Sequence, residues 1–148
     1  MILSGAARVA GVMGWPVEHS LSPRLHGHWL ERHALDGAYV PLAVPPERFE
    51  TALRALPALG FRGVNVTLPH KEAALAAVDE ADEKARRIGA VNTVTVRADG
   101  SLFGENTDAF GFIENLHETI PDWLRDPRPA VVLGAGGVQF SNALEVEF

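Results

Sequence analysis

The sequence predicts an α/β fold built around one core. Short apolar runs alternate with segments of helical periodicity along the chain, which is the pattern of strands joined by packed helices. The chain has 148 residues, of which 47% are hydrophobic and 22% charged, so it is long enough to bury a substantial core. The same composition excludes disordered, collagen-like and coiled-coil proteins.

Six strands are predicted from apolar runs that end at glycine, proline or turn residues. They cover residues 9–15, 39–44, 61–68, 90–97, 102–105 and 130–133. The fourth and fifth strands are expected to form a hairpin, because the Asp99-Gly100 pair between them favours a tight turn.

Five helices are predicted between these strands from capping and proline signals. Ser22, followed by a proline, opens the first helix as its cap, and Gly37 closes it. Prolines also precede the second and third helices, while a run of charges at four-residue spacing predicts a fourth over residues 80–88. The fifth begins near Thr107 or Asp108. The second helix is expected to bury one face, formed by Phe49, Leu53 and Leu56.

Charge and cysteine content narrow the possible functions. Thirteen Lys and Arg against 19 Asp and Glu give a net charge of −6, which opposes binding to nucleic acid or to an acidic membrane surface. Without cysteine there is no disulfide or Cys-ligated zinc, so we expect a reducing compartment, the cytoplasm. No apolar run has the length of a membrane helix. No metal site is expected, because His26 and His28 point about 200° apart on a helix.

Two serines stand at the mouth of the first predicted helix. Ser20 and Ser22 place two hydroxyls beside the unpaired N–H groups of the helix start, a setting that suits an anion. Local structure offers a second explanation, in which Ser22 caps the helix and Ser20 hydrogen-bonds a turn. The pattern by itself leaves both explanations open.

The third predicted strand leads into a lysine. The strand alternates between polar Asn65 and Thr67 and three apolar residues: Val64, Val66 and Leu68. Lys71 follows in the first turn of the next helix, beyond the carboxyl end of the strand, where open α/β sheets bind ligands. Asn92 and Asp108 also stand at strand and helix ends. A solvated lysine and ordinary turn or cap residues remain the alternatives.

A glycine cluster follows the last predicted strand. Its members are Gly134, Ala135, Gly136 and Gly137. A glycine-rich turn between a strand and a helix can receive a dinucleotide pyrophosphate, although Gln139 is large for the third small position of that motif. Only eleven residues follow Gly137, fewer than the rest of a βαβ unit requires, so a plain tight turn is the alternative.

In combination, these motifs resemble the shikimate dehydrogenase family over about residues 8–137. The GWPVEHSLSP segment with His26 is similar to that family's substrate-carboxylate motif, and NVTLPHK is similar to its catalytic-lysine motif. Three further segments match in the same order: GAVNT at 89–93, GENTDAFG at 104–111 and VLGAGG at 132–137.

The resemblance implies a fold and a reaction. The fold is a three-layer sandwich with a mostly parallel, twisted sheet, followed by an incomplete Rossmann start. The reaction is the reversible reduction of 3-dehydroshikimate to shikimate with NADP as cofactor, in aromatic amino-acid biosynthesis. A quinate-accepting relative and a non-catalytic hydroxy-acid-binding module are the alternatives. A homodimer is also compatible with the family.

The resemblance also assigns roles and domains. Lys71 and Asp108 would be catalytic, and Gly134, Ala135, Gly136 and Gly137 would begin the NADP site. The substrate would be held by Ser20, Ser22, Asn65, Thr67, Lys71, Asn92 and Asp108. The domains would be a substrate domain at 1–118, a linker at 119–129 and the start of an NADP domain at 130–148. Since hydride transfer needs the nicotinamide at contact distance, we expect these 148 residues to be inactive alone.

Overall fold

A single six-stranded sheet organises the fold in the computed structural model, which describes residues 2–125. The strands are β1 (Arg8–Gly14), β2 (Gly37–Ala43), β3 (Phe61–Val66), β4 (Glu80–Ala81), β5 (Thr93–Val96) and β6 (Leu102–Glu105). Their order across the sheet is β2-β1-β3-β5-β6-β4. Only β5 runs antiparallel to its neighbours, so the predicted α/β fold with a mostly parallel sheet is confirmed.

Helices lie on both faces of this sheet. They are α1 (Ser22–Arg32), α2 (Phe49–Ala55), α3 (Lys71–Ala77), α4 (Glu83–Ile88) and α5 (Asp108–Thr119), with short 3-10 turns at Pro46–Arg48 and Trp123–Arg125. The main core lies between the sheet and helices α2 and α3. The predicted apolar face is confirmed, since Phe49 and Leu53 of α2 and Leu56, the residue directly after it, are each at most 2% exposed. Helix α1 packs on the other face, against β1 and β2.

The third strand ends earlier than the alternation predicts. Val64 and Val66 are buried as expected, but Leu68 is 65% exposed because β3 stops at Val66. The chain then turns, with the His70 N–H donating to the Thr67 carbonyl at 3.0 Å. Strand alternation therefore stops two residues before Leu68.

The first helix begins where the sequence predicts but is capped differently. Helix α1 starts at Ser22, and the residue before the first turn is Leu21, which makes no side-chain cap. The helix ends at Arg32, and Gly37 is the first residue of β2 instead of the end of α1. A side chain at Gly37 would overlap the carbonyl of Arg8 on the adjacent strand. Gly37 therefore permits close pairing of strands.

The predicted helix over residues 80–88 is a strand followed by a shorter helix. Glu80–Ala81 form β4, which pairs in parallel with β6. Helix α4 begins at Glu83, because the Asp82 carboxylate accepts a hydrogen bond from the Ala85 N–H at 2.7 Å and caps it. Charge spacing alone cannot reveal a two-residue edge strand.

The predicted linker and the last strand fall at or beyond the end of the described chain. Helix α5 ends at Thr119, where the linker is predicted to begin. The expected strand at 130–133 and the glycine cluster at 134–137 lie outside the described residues. Within residues 2–125, none of the helices combines the length and apolarity needed to cross a membrane.

Candidate active site

A polar hollow of about 320 Å³ lies at the carboxyl ends of β1 and β3. The first residues of α1, α3 and α5 (Ser22, Lys71 and Asp108) all line it. The complete lining is Val12, Ser20, Ser22, His26, Asn65, Val66, Thr67, Lys71, Asn92 and Asp108. The structure therefore brings together all seven residues predicted to hold a substrate.

Lys71 and Asp108 form an ion pair on the wall of this hollow. Lys71 Nζ donates to Asp108 Oδ2 at 2.6 Å, and the two side chains are 12% and 28% exposed. Lys71 is the first residue of α3, where the helix dipole disfavours a positive charge, and the Asp108 carboxylate offsets this. The pair is partly sheltered from solvent, so salt screens it less than a surface ion pair, and both residues line the hollow.

The position of Asp108 depends on two buried asparagines. Asn106, 4% exposed, accepts from the Asp108 N–H at 3.1 Å and donates to the Ala90 carbonyl at 3.0 Å. It thereby caps α5, a role the sequence did not assign to Asn106 in particular. Asn92 Nδ2 donates to Asp108 Oδ1 at 2.7 Å, and its Oδ1 accepts from the Thr107 N–H at 3.0 Å. Both carboxylate oxygens of Asp108 thus have a donor.

The serines lie at the amino end of α1. Both Ser20 and Ser22 line the hollow, and the Ser20 hydroxyl oxygen is 3.4 Å from the Ser22 backbone nitrogen, a long hydrogen bond. Ser22 is the first residue of α1 and does not occupy its cap position, and it lines the hollow. Partial positive charge at the start of this eleven-residue helix favours an anion at the same place.

Thr67 approaches the hollow next to a glycine. The Thr67 N–H donates to the Met13 carbonyl at 2.9 Å, which ties the end of β3 to β1. A Cβ at Gly14 would overlap the Thr67 methyl group. Gly14 therefore permits the close approach that places Thr67 on the wall.

Asn65 is held from behind by the single tyrosine of the chain. Tyr39 donates its hydroxyl to Asn65 Oδ1 at 2.6 Å, and Asn65 Nδ2 donates to Thr93 Oγ1 at 3.2 Å. Burial raises the pKa of Tyr39 to about 12, so its hydroxyl stays protonated at neutral pH. The sequence carried no signal for this role of Tyr39.

His26 lies between Tyr39 and the hollow. Its ring stacks on Tyr39 with centroids 4.0 Å apart and meets the edge of Trp29. Burial lowers the pKa of His26 below 6.5, because desolvation disfavours the charged imidazolium. His26 therefore offers a neutral, flat wall. The resemblance placed it in a motif but gave it no role.

His70 anchors the turn that carries Lys71. Its ring is 2% exposed and stacks on Phe49 at 4.4 Å, and its Nε2 lies 2.7 Å from the Val44 carbonyl oxygen. As the oxygen is only an acceptor, Nε2 carries the proton. These contacts fix the start of α3 against the core.

A larger hollow of about 560 Å³ lies on the same face, toward the amino ends of β1 to β3. It shares only His26 with the smaller hollow and contains neither Lys71 nor Asp108. The Lys71–Asp108 ion pair therefore belongs to the smaller hollow alone. That hollow combines the serine hydroxyls at the start of α1, the amides of Asn65 and Asn92, and the ammonium group of Lys71.

The fold and this hollow define an α/β domain with a polar hollow beyond the carboxyl ends of its strands, the place where open α/β sheets bind ligands. Residues 12–94 match the family model described as the shikimate dehydrogenase substrate binding domain. The chain belongs to this family.

Relatives and solved structures agree with this placement. A shikimate dehydrogenase (NADP⁺) of Rhodospirillum rubrum is 67% identical over 136 residues, which is 92% of this chain and 48% of that protein. A shikimate dehydrogenase crystallised with NADP⁺ superimposes with a TM-score of 0.87 at 37% identity, covering 98% of this chain and 50% of its own. The Thermus thermophilus enzyme in complex with shikimate gives 0.81 at 47% identity, with coverage of 90% and 50%. This chain spans about half the length of these proteins.

Proposed function

We propose that this chain supplies the substrate-binding part of an NADP-dependent shikimate dehydrogenase, which reversibly reduces 3-dehydroshikimate to shikimate. The observation that carries the proposal is one hollow containing the Lys71–Asp108 pair together with Ser20 and Ser22. A cyclic hydroxy acid needs an anion-binding end, partners for its hydroxyls and a proton donor at the reacting oxygen. The proposed step belongs to aromatic amino-acid biosynthesis in the cytoplasm.

Lys71 moves the proton in this proposal. When hydride adds to the carbonyl carbon, negative charge grows on the oxygen, and a neighbouring ammonium stabilises that charge. Lys71 Nζ donates its proton to the oxygen, which becomes a hydroxyl, and the amine is left neutral. In the reverse direction the neutral amine accepts the hydroxyl proton. Asp108 holds Nζ in place at 2.6 Å.

The other groups hold the ring. Ser20 and Ser22 bind the carboxylate at the start of α1, where the helix dipole adds attraction. Thr67, Asn65 and Asn92 serve the ring hydroxyls. An analogue lacking one hydroxyl leaves its partner in the hollow without a hydrogen bond, which is the basis for selectivity.

NADPH supplies the hydride when it is bound. The residues predicted to begin its site, Gly134, Ala135, Gly136 and Gly137, lie outside the described residues. The roles proposed for the described residues are therefore limited to binding, orientation and proton transfer. The division into a substrate domain at 1–118, a linker at 119–129 and an NADP domain from 130 is part of the same proposal.

Shikimate binding to the 148-residue chain tests the site. We expect shikimate to shift the NMR resonances of residues around the hollow. Ser20→Ala, which removes a hydrogen bond to a charged group, should weaken binding by roughly tenfold or more. Ser101→Ala, in the hairpin turn, is the matched control and should bind like the wild type. Absence of any shift near Ser20, Lys71 or Asp108 would refute the site.

The role of Lys71 requires a reaction. Supplying a separately expressed NADP-binding half and following NADPH absorbance distinguishes an enzyme from a hydroxy-acid-binding module. We expect oxidation of NADPH that depends on 3-dehydroshikimate and is abolished by Lys71→Ala. Lys84→Ala, outside the hollow, should leave the rate unchanged. A module that only binds would give no rate with any variant.

Two finer points belong to the same proposal. Titration with quinate in place of shikimate tests the quinate-accepting alternative, since the two acids differ in their ring substituents. Light scattering tests the homodimer that the family resemblance allows.

A further inference from the structure

We propose that Tyr39 is a positioning residue whose hydroxyl, through Asn65, Thr93 and Asn92, orients the Asp108 carboxylate toward Lys71. The inference rests on the proposed function for its catalytic meaning. Tyr39 does not line the hollow, and neither composition nor motif assigns it a role. Its connection to the hollow is a continuous series of side-chain hydrogen bonds, referred to below as the Tyr39 chain.

Every bond of the Tyr39 chain is short enough to be a hydrogen bond. Tyr39 to Asn65 is 2.6 Å, Asn65 to Thr93 is 3.2 Å and Thr93 to Asn92 is 3.1 Å. Asn92 to Asp108 is 2.7 Å, and the second oxygen of that carboxylate receives Lys71. The series thus runs along one face of the sheet, from Tyr39 to the ion pair.

The donors and acceptors can be assigned from the Asp108 end. A carboxylate only accepts, so the Asn92 amide must present its NH₂ to Asp108 and its oxygen to the other side. That oxygen receives the Thr107 N–H at 3.0 Å and the Thr93 hydroxyl. Because the Thr93 hydroxyl donates its only proton to Asn92, its oxygen must accept a hydrogen bond from the Asn65 NH₂. The Asn65 oxygen then faces Tyr39, which must donate.

This polarity explains why a protonated tyrosine suits the far end. The raised pKa of Tyr39 keeps its hydroxyl a donor across the physiological range. The stacked His26 ring covers Tyr39 on one side and limits its motion. The direction of every bond in the chain is therefore determined by the Asp108 carboxylate at one end and this hydroxyl at the other.

Removing the hydroxyl should release the chain one bond at a time. Without Tyr39 as donor, the Asn65 oxygen loses its partner and the amide can rotate to present that oxygen to Thr93. The Thr93 hydroxyl then donates to Asn65 and no longer to Asn92. Asn92 then keeps hydrogen bonds only to Thr107 and Asp108, so it holds the Asp108 carboxylate in a less fixed position.

The variants follow from this scheme. Tyr39→Phe keeps the ring that stacks on His26 and deletes only the hydroxyl. Thr93→Val deletes the middle donor, while Thr93→Ser restores it. Thr95→Val is the matched control, because Thr95 lies two residues further along the same strand on the same face, and the described contacts give its side chain no hydrogen bond.

The first measurement needs no ligand. We expect Tyr39→Phe and Thr93→Val to shift the side-chain NH₂ resonances of Asn92, while Thr93→Ser and Thr95→Val leave them in place. The second is shikimate affinity, which we expect to fall roughly 3- to 10-fold in Tyr39→Phe and in Thr93→Val. The double variant should be no weaker than either single one, because one break already interrupts the chain.

The outcomes separate this inference from the proposed function. If the wild type fails to bind shikimate, the proposed function fails, and the Asn92 resonances still decide whether the Tyr39 chain exists. If the wild type binds but Tyr39→Phe changes neither Asn92 nor affinity, the inference is wrong. Additive losses in the double variant would also overturn it, since they would indicate two independent packing defects. If Tyr39→Phe fails to fold, Thr93→Val decides the question, with Thr93→Ser and Thr95→Val as its controls.

Discussion

Replacing Asn106 by alanine should weaken both the fold and the candidate site. Asn106 is almost fully buried, caps α5 through the Asp108 N–H and holds the Ala90 carbonyl. Loss of a helix cap costs about 1 kcal/mol, and an unsatisfied buried carbonyl costs a further 1–3 kcal/mol. Since its weak third bond, to the Ala109 N–H at 3.4 Å, adds little, we expect the free energy of unfolding to fall by about 2–4 kcal/mol.

Urea unfolding followed by circular dichroism measures this change. Asn115→Ala is the matched control, because Asn115 is exposed on the same helix and should change stability by less than about 0.5 kcal/mol. Shikimate affinity should fall in Asn106→Ala, since Asp108 loses its fixed position, and should not change in the control. This explanation of the site is refuted if the free energy of unfolding of Asn106→Ala lies within about 0.5 kcal/mol of the wild-type value.

Three further predictions concern packing and pH. Gly14→Ala should destabilise the chain by about 1–3 kcal/mol and weaken shikimate binding, because the added Cβ overlaps the Thr67 side chain. Gly27→Ala is the comparison: nothing lies within 4 Å of its added Cβ, so it should stabilise α1. Thermal unfolding measures the stability of both variants, and NMR titration measures their shikimate binding. The stability contributed by protonated Tyr39 should be complete below pH 10 and be lost between pH 10 and about 12. Tyrosinate absorbance reports this residue alone, because the chain has one tyrosine. Ionisation of the Tyr39 hydroxyl near pH 10 would contradict its burial. Stability linked to neutral His26 should be present above pH 6.5 and fall as the pH drops below it. Urea midpoints measured across this pH range should depend less on pH in His26→Phe than in the wild type. An unchanged pH dependence in His26→Phe rules out the linkage.

Local sequence signals were sufficient for most of the secondary structure. Prolines, glycines and apolar periodicity are local, and they located the strands and helices that carry Ser22, Lys71 and Asp108. They failed where a contact distant in sequence decided the outcome. The edge strand at Glu80–Ala81 exists only because β6 pairs with it, and Gly37 is a strand residue because β1 lies against it.

Individual site residues were predictable as candidates, but their partnership was not. Lys71, Asn92 and Asp108 each fit a solvated, turn or cap role when considered with their neighbours in sequence. Their order along the chain favoured a shared site only through the family resemblance. The 2.6 Å contact between Lys71 and Asp108 joins residues 37 positions apart, and no local periodicity encodes it.

The sequence by itself determined the α/β class, the polar face that carries Asn65 and Thr67, and the residue types available for binding an anion and moving a proton. Those features follow from side-chain chemistry and from the geometry of single strands and helices. Only the tertiary structure decided that three helix starts meet at one hollow, that Asn106 caps α5 and that Tyr39 holds Asn65 from behind. Hydrogen bonds between distant residues depend on distances of a few ångströms, which are set when the sheet and its helices pack together.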